Sequence, residues 1–372
     1  MSAPRLLSEL TTLRVGGPVR ELLEPETLDE LVDAARTAWT EADEPEEVVV
    51  LGGGSNVVAP DEGFDGTAIL TSGVRGIEVV AADDDLAHLR VVAGELWDDV
   101  VAFAVANGLA GITSLSGIPG TAGAAPVQNI GAYGRELADT LVAVEVLDLV
   151  SGAVARVPAA ELGLGYRTSA LKRGRRAVVL AVEIALARDR RAPVRYPQLA
   201  SSLGIPVGAH VPLADLRAGV LALRAQKGML LGPDYPDSAG SFFTNPIVDE
   251  SWARRLPAEA PRWPVGPDEA DRAAPLDEGP RLVAFPERRD VKLSAAWLIE
   301  HAGIPRGYRL PGSRAAISPL HTLSIVNQGG ATALEILQLA EFVRSRVAAD
   351  FGVVLQPEPV VLPGPPIVPD VE

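Results

Sequence analysis

A chain of 372 residues, 47% of them hydrophobic, is long enough for two to three domains and a large core, and its 49 acidic against 33 basic residues leave a net charge of −16 that argues against nucleic acid or an anionic membrane surface as the main partner. The absence of cysteine excludes disulfides, a thiolate nucleophile, a Cys-ligated metal and a flavin tethered through sulfur, and the four histidines (His88, His210, His301, His321) lack metal-ligand spacing. No apolar run approaches the roughly 20 residues that span a bilayer, and the opening MSAPRLLSEL lacks a basic stretch followed by a long apolar core, so a cytoplasmic protein without a membrane segment or metal is expected.

In chain order, a βαβ-like unit runs from Arg20 to about Leu70. Thr27 and Glu30 form a capping-box pair three apart, after which Leu28, Leu31, Val32, Ala35 and Trp39 fall on one helical face. A strand over Glu47–Leu51 leads straight into Gly52-Gly53-Gly54-Ser55-Asn56. The next unit opens with a strand near Leu89–Val92 and a helix over Trp97–Asn107, stopped by Gly108. Then Gly108–Gly134, GLAGITSLSGIPGTAGAAPVQNIGAYG, holds seven glycines in 27 residues and almost no charge. Strands over Val142–Val150 and Ala177–Leu186 flank the segment Leu162–Lys172, and ARDRRAPVR, around Arg188, reads as a linker or domain junction. Beyond it come a helix over Leu213–Ala225, a loop ending in Gly240-Ser241-Phe242-Phe243, and a Pro- and acid-rich stretch, Leu256–Pro280, whose lack of periodicity predicts a surface insertion. Helices over Ser294–His301 and Leu334–Ala349 end at Gly303 and Gly352; a last strand reaches Glu358, and an extended Pro-rich tail follows. Strands and helices without regular βα alternation predict an α+β fold rather than a doubly wound sheet.

Two glycine-rich segments carry the first functional signal. In GGGSN the glycines let backbone approach a ligand closely, the successive N–H groups can cradle phosphate oxygens, and Ser55 and Asn56 add side-chain donors. The segment matches neither GxxxxGK[ST] nor GxGxxG, and a plain tight turn is an equal reading of it alone. A 27-residue stretch with so little regular structure is uncommon in a compact domain unless it has a function. Its small residues would let backbone lie flat against a planar ring, with Gln128 and Asn129 offering donors and acceptors to a heteroaromatic edge.

VVLGGGSN, SLSGIPGTAGAAPVQNIGAYG, GYRTSALK, AGSFFTNP and the closing LQPEP, in this order and spacing, resemble the UDP-N-acetylenolpyruvoylglucosamine reductase (MurB) family, and TTLRVGGP looks like that family's opening strand. The resemblance covers about Thr11 to Pro359. It implies an FAD-binding domain of the vanillyl-alcohol-oxidase/PCMH type over 1–188, in two α/β lobes of about 1–72 and 73–188. An α+β substrate-binding domain over 189–372 would follow, its last segment (about 353–372) returning to the flavin domain. It implies non-covalent FAD, held by Gly52, Gly53, Gly54, Ser55, Asn56, Ser116, Pro119, Gly120, Gly123, Ala124, Ala125, Gln128, Asn129, Gly131, Ala132 and Tyr133, with Arg224 facing the flavin region. Arg167 would be the active-site arginine, Ser241 the proton donor and Glu358 the C-terminal active-site glutamate. Tyr196 looks like the mobile tyrosine of one family class, and Lys227 and Asn245 would meet the pyrophosphate or sugar of the substrate. Thr244 stands where a lysine is common, Pro359 where a valine is usual, and Ala124 and Ala125 where some members carry hydroxyls.

The implied reaction is a ping-pong reduction in which NADPH, as co-substrate, reduces the flavin and a UDP-sugar enolpyruvate then takes the hydride to give UDP-N-acetylmuramate. Arginine suits the carboxylate on which charge develops, because it is always charged and its fork matches two oxygens. A serine is an unusual acid and can protonate only a strongly basic carbon close to cations. Read singly, Arg167 is a structural salt-bridge residue, Ser241 a turn cap, Glu358 a solvated acid and Tyr196 a core residue; the ordered set reverses this for the first three. His301 and His321 read as structural, and without heptads or an obvious apolar patch a monomer is expected. Two alternatives stay open: a flavin-dependent oxidase of the same fold, and a nucleotide-binding protein that has lost its chemistry.

Overall fold

The computed structural model describes residues 5–265 and 290–363. A small parallel sheet, in the order Val19–Leu23, Phe64–Leu70, Val48–Leu51, forms the first lobe. The TTLRVGGP stretch is turn and coil, so the opening strand starts at Val19 rather than within the motif; Arg14, at φ 54°, cannot join an extended ladder. The helix Leu28–Glu41 is capped by Thr27, whose hydroxyl accepts the Glu30 N–H at 3.2 Å. Glu30 reaches the N–H of Glu26 (2.8 Å) rather than that of Thr27, so the expected box closes one residue early.

The second lobe is an antiparallel sheet in the order Val154–Pro158, Leu141–Asp148, Ala177–Arg188, Leu86–Val92, Ile77–Ala82, with Leu109–Ala110 paired to the end of the long strand. Ala177–Arg188 is buried on both faces for most of its length. A register shift opposite Glu145 and Val146 leaves Leu180 as an extra residue. Val178 and Leu180 pack with Leu31, Ala35 and Ile69 of the first lobe, while Val182, Ile184 and Leu186 pack with the helix Trp97–Ala106. The bulge re-aims the side chains, letting one strand serve both lobes.

The expected linker around Arg188 is structured: the long strand runs through Arg188, and Arg191–Pro193 pairs with His210–Pro212. The helix Leu213–Gln226 and the short helix Pro197–Ser202 form an apolar cluster with Ala110, and Tyr133 packs against it. Downstream, two three-stranded antiparallel sheets, Asp237–Ser238/Ile325–Asn327/Ala315–Ile317 and Ile247–Asp249/Asp290–Leu293/Arg262–Val265, share a core with the helices Ala295–His301 and Ala333–Phe351. The Leu256–Pro280 expectation is corrected in its first part: Leu256 is buried and Arg262–Val265 is a strand, because pairing with Asp290–Leu293 satisfies its backbone whatever its composition. Residues 266–280 and the tail beyond 363 lie outside the described residues.

The last expected strand is also corrected. The chain from Val353 to Pro359 is irregular apart from a bridge between Pro357 and Phe243, and the strand is Val360–Val361, parallel to Val57–Val58. That pairing brings the chain end back onto the first lobe beside GGGSN. Asp61 reaches the other way, accepting the Ala333 and Leu334 N–H groups (2.7 and 3.0 Å) at the start of the Ala333–Phe351 helix.

Candidate active site

A cleft of about 290 Å³ runs between the lobes and the second core, lined by Gly52–Val57, Ile118–Thr121, Ala124, Ala125, Gln128 and Gly131. Its floor is backbone packed against backbone. A Cβ on Gly53 would lie 3.0 Å from the Gly120 Cα, and one on Gly52 would lie 2.4 Å from the Thr121 hydroxyl. Thr121 Oγ1 is buried with no hydrogen-bond partner, an orphaned polar group facing these glycines. A flat, glycine-walled slot rimmed by N–H groups and an unsatisfied hydroxyl fits a bound dinucleotide-type cofactor such as FAD.

The reacting end of the cleft is assembled from four segments. Glu358 N–H donates to the Phe242 carbonyl (2.9 Å) and Thr244 N–H to the Gln356 carbonyl (3.0 Å), so LQPEP is zipped along GSFFT and Ser241 lies beside Glu358. Phe242 and Phe243, both buried, anchor this pair of segments in the second core. Asn56 Nδ2 donates to Gln128 Oε1 (2.9 Å) and to the Glu358 carbonyl (3.1 Å), tying both glycine-rich segments to the chain end. Gly240, at φ 73°, makes the turn that presents Ser241 to the cleft.

Arg167 enters from GYRTS with a left-handed backbone (φ 54°), uncommon for a residue with a side chain and held here by its surroundings. Its Nε pairs with Glu358 Oε1 at 3.2 Å, while Nη1 and Nη2 donate to the carbonyls of Asn129 (3.3 Å) and Gly131 (2.6 Å). Both side chains of the pair are mostly buried, at 19% and 13% exposure. Burial pushes the Glu358 carboxyl above the usual carboxylate range, and the neighbouring Arg167 and Lys172 charges only oppose that rise.

A second cluster lies along the helix Leu213–Gln226. Arg224, 7% exposed, donates from Nε to the Gly117 carbonyl (3.0 Å) and from Nη2 to that of Met229 (2.9 Å). The Gly117 N–H donates to Asp98 Oδ1 (2.6 Å), and Asp98 is gripped by both Nη atoms of Arg217 at 2.7 Å. Gly117 is thus held on its N–H side by Asp98 of the helix Trp97–Ala106 and on its carbonyl side by Arg224 of the helix Leu213–Gln226. Lys227 at the end of that helix donates to Gln198 Oε1 (3.0 Å) and lies 6.0 Å from the Tyr133 ring centre, and Tyr133 meets Tyr196 edge to face at 5.5 Å. His321, read from sequence as structural, sits near Lys227 and Arg306; burial and these two cations lower its pKa to about 4, so it is neutral at physiological pH.

Several expected cofactor residues stand behind the cleft rather than on its wall. Ser116 is fully buried and donates to the Thr113 carbonyl (2.6 Å). Gly123 packs on Ala93, and Asn129 spends its side chain on Glu136, Gly165 and Ala138. Ala132 ends a short hairpin strand and Tyr133, which follows it, leads to the second cluster. Asn245 accepts the Ala295 N–H (2.9 Å), and its own N–H donates to the Tyr166 hydroxyl (3.3 Å). Sequence reasoning missed Thr121, Lys172, the Asp98–Arg217 clamp, and Lys292, whose ammonium lies 4.9 Å from the Tyr166 ring centre. Lys172 was within reach, since it closes the GYRTSALK motif; no spacing rule links Asp98 to Arg217 across 119 residues.

Replacing Gly52 by alanine should weaken FAD binding roughly tenfold or more, the cost of overpacking against Thr121. Flavin retained after gel filtration and a fluorescence titration of the stripped protein would measure this; unchanged affinity would mean the cofactor does not lie in this slot.

The fold and cleft define a flavin-binding oxidoreductase built from an FAD domain and a separate α+β domain. Residues 20–157 match a family described as FAD binding domain, and residues 232–362 match one described as UDP-N-acetylenolpyruvoylglucosamine reductase, C-terminal domain. The chain is 55% identical to a UDP-N-acetylenolpyruvoylglucosamine reductase of Leifsonia xyli subsp. xyli, over 97% of this chain and 99% of that one. It is 45% identical to a reductase of the same name from Salinispora arenicola, over 96% and 94%. It also superposes on the crystal structure of UDP-N-acetylenolpyruvylglucosamine reductase from Thermus caldophilus, with a TM-score of 0.60, 29% identity and coverage of 97% and 98%. The chain belongs to the UDP-N-acetylenolpyruvoylglucosamine reductase family. No helix among the described residues is long and apolar enough to cross a membrane, and no group of His, Asp and Glu among them could hold a metal ion.

Proposed function

We propose that this protein uses NADPH, through FAD, to reduce the enolpyruvyl ether of a UDP-N-acetylglucosamine enolpyruvate to UDP-N-acetylmuramate for peptidoglycan, acting as a cytoplasmic monomer. The observation that carries the proposal is the convergence of Arg167, Ser241 and Glu358 at one end of a glycine-walled cleft, in a chain matched along its length by reductases of this name. FAD, when bound, supplies the hydride. Everything else is asked of the protein's own side chains.

Addition of hydride to the terminal CH₂ places negative charge on the neighbouring carbon and its carboxylate. Arg167 meets that charge with a guanidinium already oriented by two carbonyls, so little reorganisation is needed as the charge develops. Glu358 complements it: its carboxylate pairs with Arg167 at rest, and burial, which raises its pKa, favours uptake of a proton when the anionic substrate arrives, giving a hydrogen-bond donor to the substrate carboxylate. Ser241, which lines the cleft and whose hydroxyl has no partner among the described residues, gives its proton to the carbon next to the ether oxygen in this reading. Lys227, Tyr196 and Asn245 are assigned to the nucleotide-sugar end, with Lys227 the natural contact for a pyrophosphate because its ammonium has Gln198 as its one hydrogen-bond partner among the described residues.

The test is a pair of absorbance titrations of the purified protein. NADPH should bleach the flavin band near 450 nm on the order of once per FAD, and the enolpyruvyl sugar should restore it under anaerobic conditions. Restoration by oxygen, with no response to the enolpyruvyl sugar, would assign an oxidase instead; a colourless protein that takes up no FAD would remove both readings.

A further inference from the structure

Three cations line the cleft: Arg167, Lys172 and Arg224. Two of them are largely committed. Arg224 is buried with its Nε and Nη2 on backbone carbonyls, and Arg167 has each of its three nitrogens on Glu358, Asn129 or Gly131. Lys172 differs, since its ammonium makes no hydrogen bond or ion pair with any described residue, although the side chain is about half buried. The backbone that carries it is nonetheless fixed. The Lys172 N–H donates to the Ser169 hydroxyl (3.2 Å), and that hydroxyl donates to the carbonyl of the cleft residue Val127 (2.6 Å).

A half-desolvated ammonium with three unused donors is costly unless an anion completes it. Burial lowers the Lys172 pKa while the nearby Glu358 carboxyl supports its charge, so this lysine lies within the electrostatic reach of the reacting end. The geometry points to Lys172 as a further catalytic residue, its ammonium binding the carboxylate of the enolpyruvyl ether alongside Arg167. This rests on the function proposed above and gives the site a second cation with donors to spare. It also brings positive charge to the cleft that Ser241 lines, as a serine acid needs.

The experiment compares two ligands that differ by the carboxylate-bearing lactyl ether: UDP-N-acetylmuramate, which carries it, and UDP-N-acetylglucosamine, which does not. Binding of each to the FAD-loaded protein is followed by the shift in flavin absorbance, for the wild type, Lys172→Met and Lys172→Arg. The wild type should prefer the carboxylate-bearing ligand. Lys172→Met should lose roughly tenfold or more of that preference, while its affinity for UDP-N-acetylglucosamine changes little. Lys172→Arg should keep most of the preference. A Lys172→Met protein with undiminished preference overturns the proposal. So does equal weakening for both ligands, or a Lys172→Arg protein as impaired as the methionine variant. A wild type that binds both ligands equally, or is not reoxidised by the enolpyruvyl sugar, overturns the functional reading itself; the variants are then unnecessary to see which idea has failed.

Discussion

Ser241→Ala should leave NADPH-driven reduction of the flavin at the wild-type rate and slow its reoxidation by the enolpyruvyl sugar by roughly 10²–10⁴-fold, the range lost when a positioned general acid is removed. The physical reason is that the two half-reactions need different things from the protein. Flavin reduction requires only that the nicotinamide lie against the ring. Reoxidation must also deliver a proton to carbon, and Ser241 is the cleft hydroxyl presented beside Glu358 by the GSFF–QPEP pairing. Removing one oxygen leaves that pairing intact, because it runs through the backbone of Phe242, Thr244, Gln356 and Glu358. Stopped-flow absorbance on each half-reaction separates the outcomes. If both keep wild-type speed, the proton comes from elsewhere.

Arg167→Met should be more damaging, and in two ways. Reoxidation by substrate should fall by roughly 10²–10³-fold, as for loss of one preorganised charge-stabilising group. Stability should fall as well, because Glu358 loses its ion-pair partner while remaining mostly buried. Breaking a fully buried pair costs several kcal/mol; with 19% and 13% of the two side chains exposed, about 2 kcal/mol is expected here. The double variant Arg167→Met/Glu358→Gln should recover much of that stability without recovering activity, since no charge is then stranded. Thermal unfolding of the single and double variants beside the kinetics would check this. A single variant as stable as wild type would mean that Glu358 is already neutral in the resting protein, in line with the direction burial pushes it.

The motifs were readable in the sequence because their chemistry is local. A glycine run after a strand and a Gly-Ser turn each announce a backbone that must do something unusual, and Gly54 and Gly240 do adopt positive φ, whereas the positive φ of Arg167 emerges only in the structure. The helices were readable for the same reason, through caps and periodicity, to within a residue or two: Trp97–Ala106, Leu213–Gln226 and Ala333–Phe351. What failed was whatever depended on a distant partner. Arg262–Val265 looks like part of a surface insertion without periodicity until Asp290–Leu293 lies beside it, and the chain from Val353 to Glu358 looks like a strand although its neighbours there are the GSFF turn and Asn56.

By itself, then, the sequence determined which residue types were available for the chemistry and in which order they come: two glycine-rich segments, one arginine, one serine and one glutamate, with no cysteine to offer another route. Only the tertiary structure decided which of them share a surface. Ser116, Gly123 and Asn129 turn out to support the cleft wall from behind, whereas Thr121 and Lys172, unremarked in the sequence, stand on it. The reason is that burial, desolvation and hydrogen-bond satisfaction are set by groups far apart in the chain, as when Asn56 holds both Gln128 and the backbone of Glu358, 302 residues away.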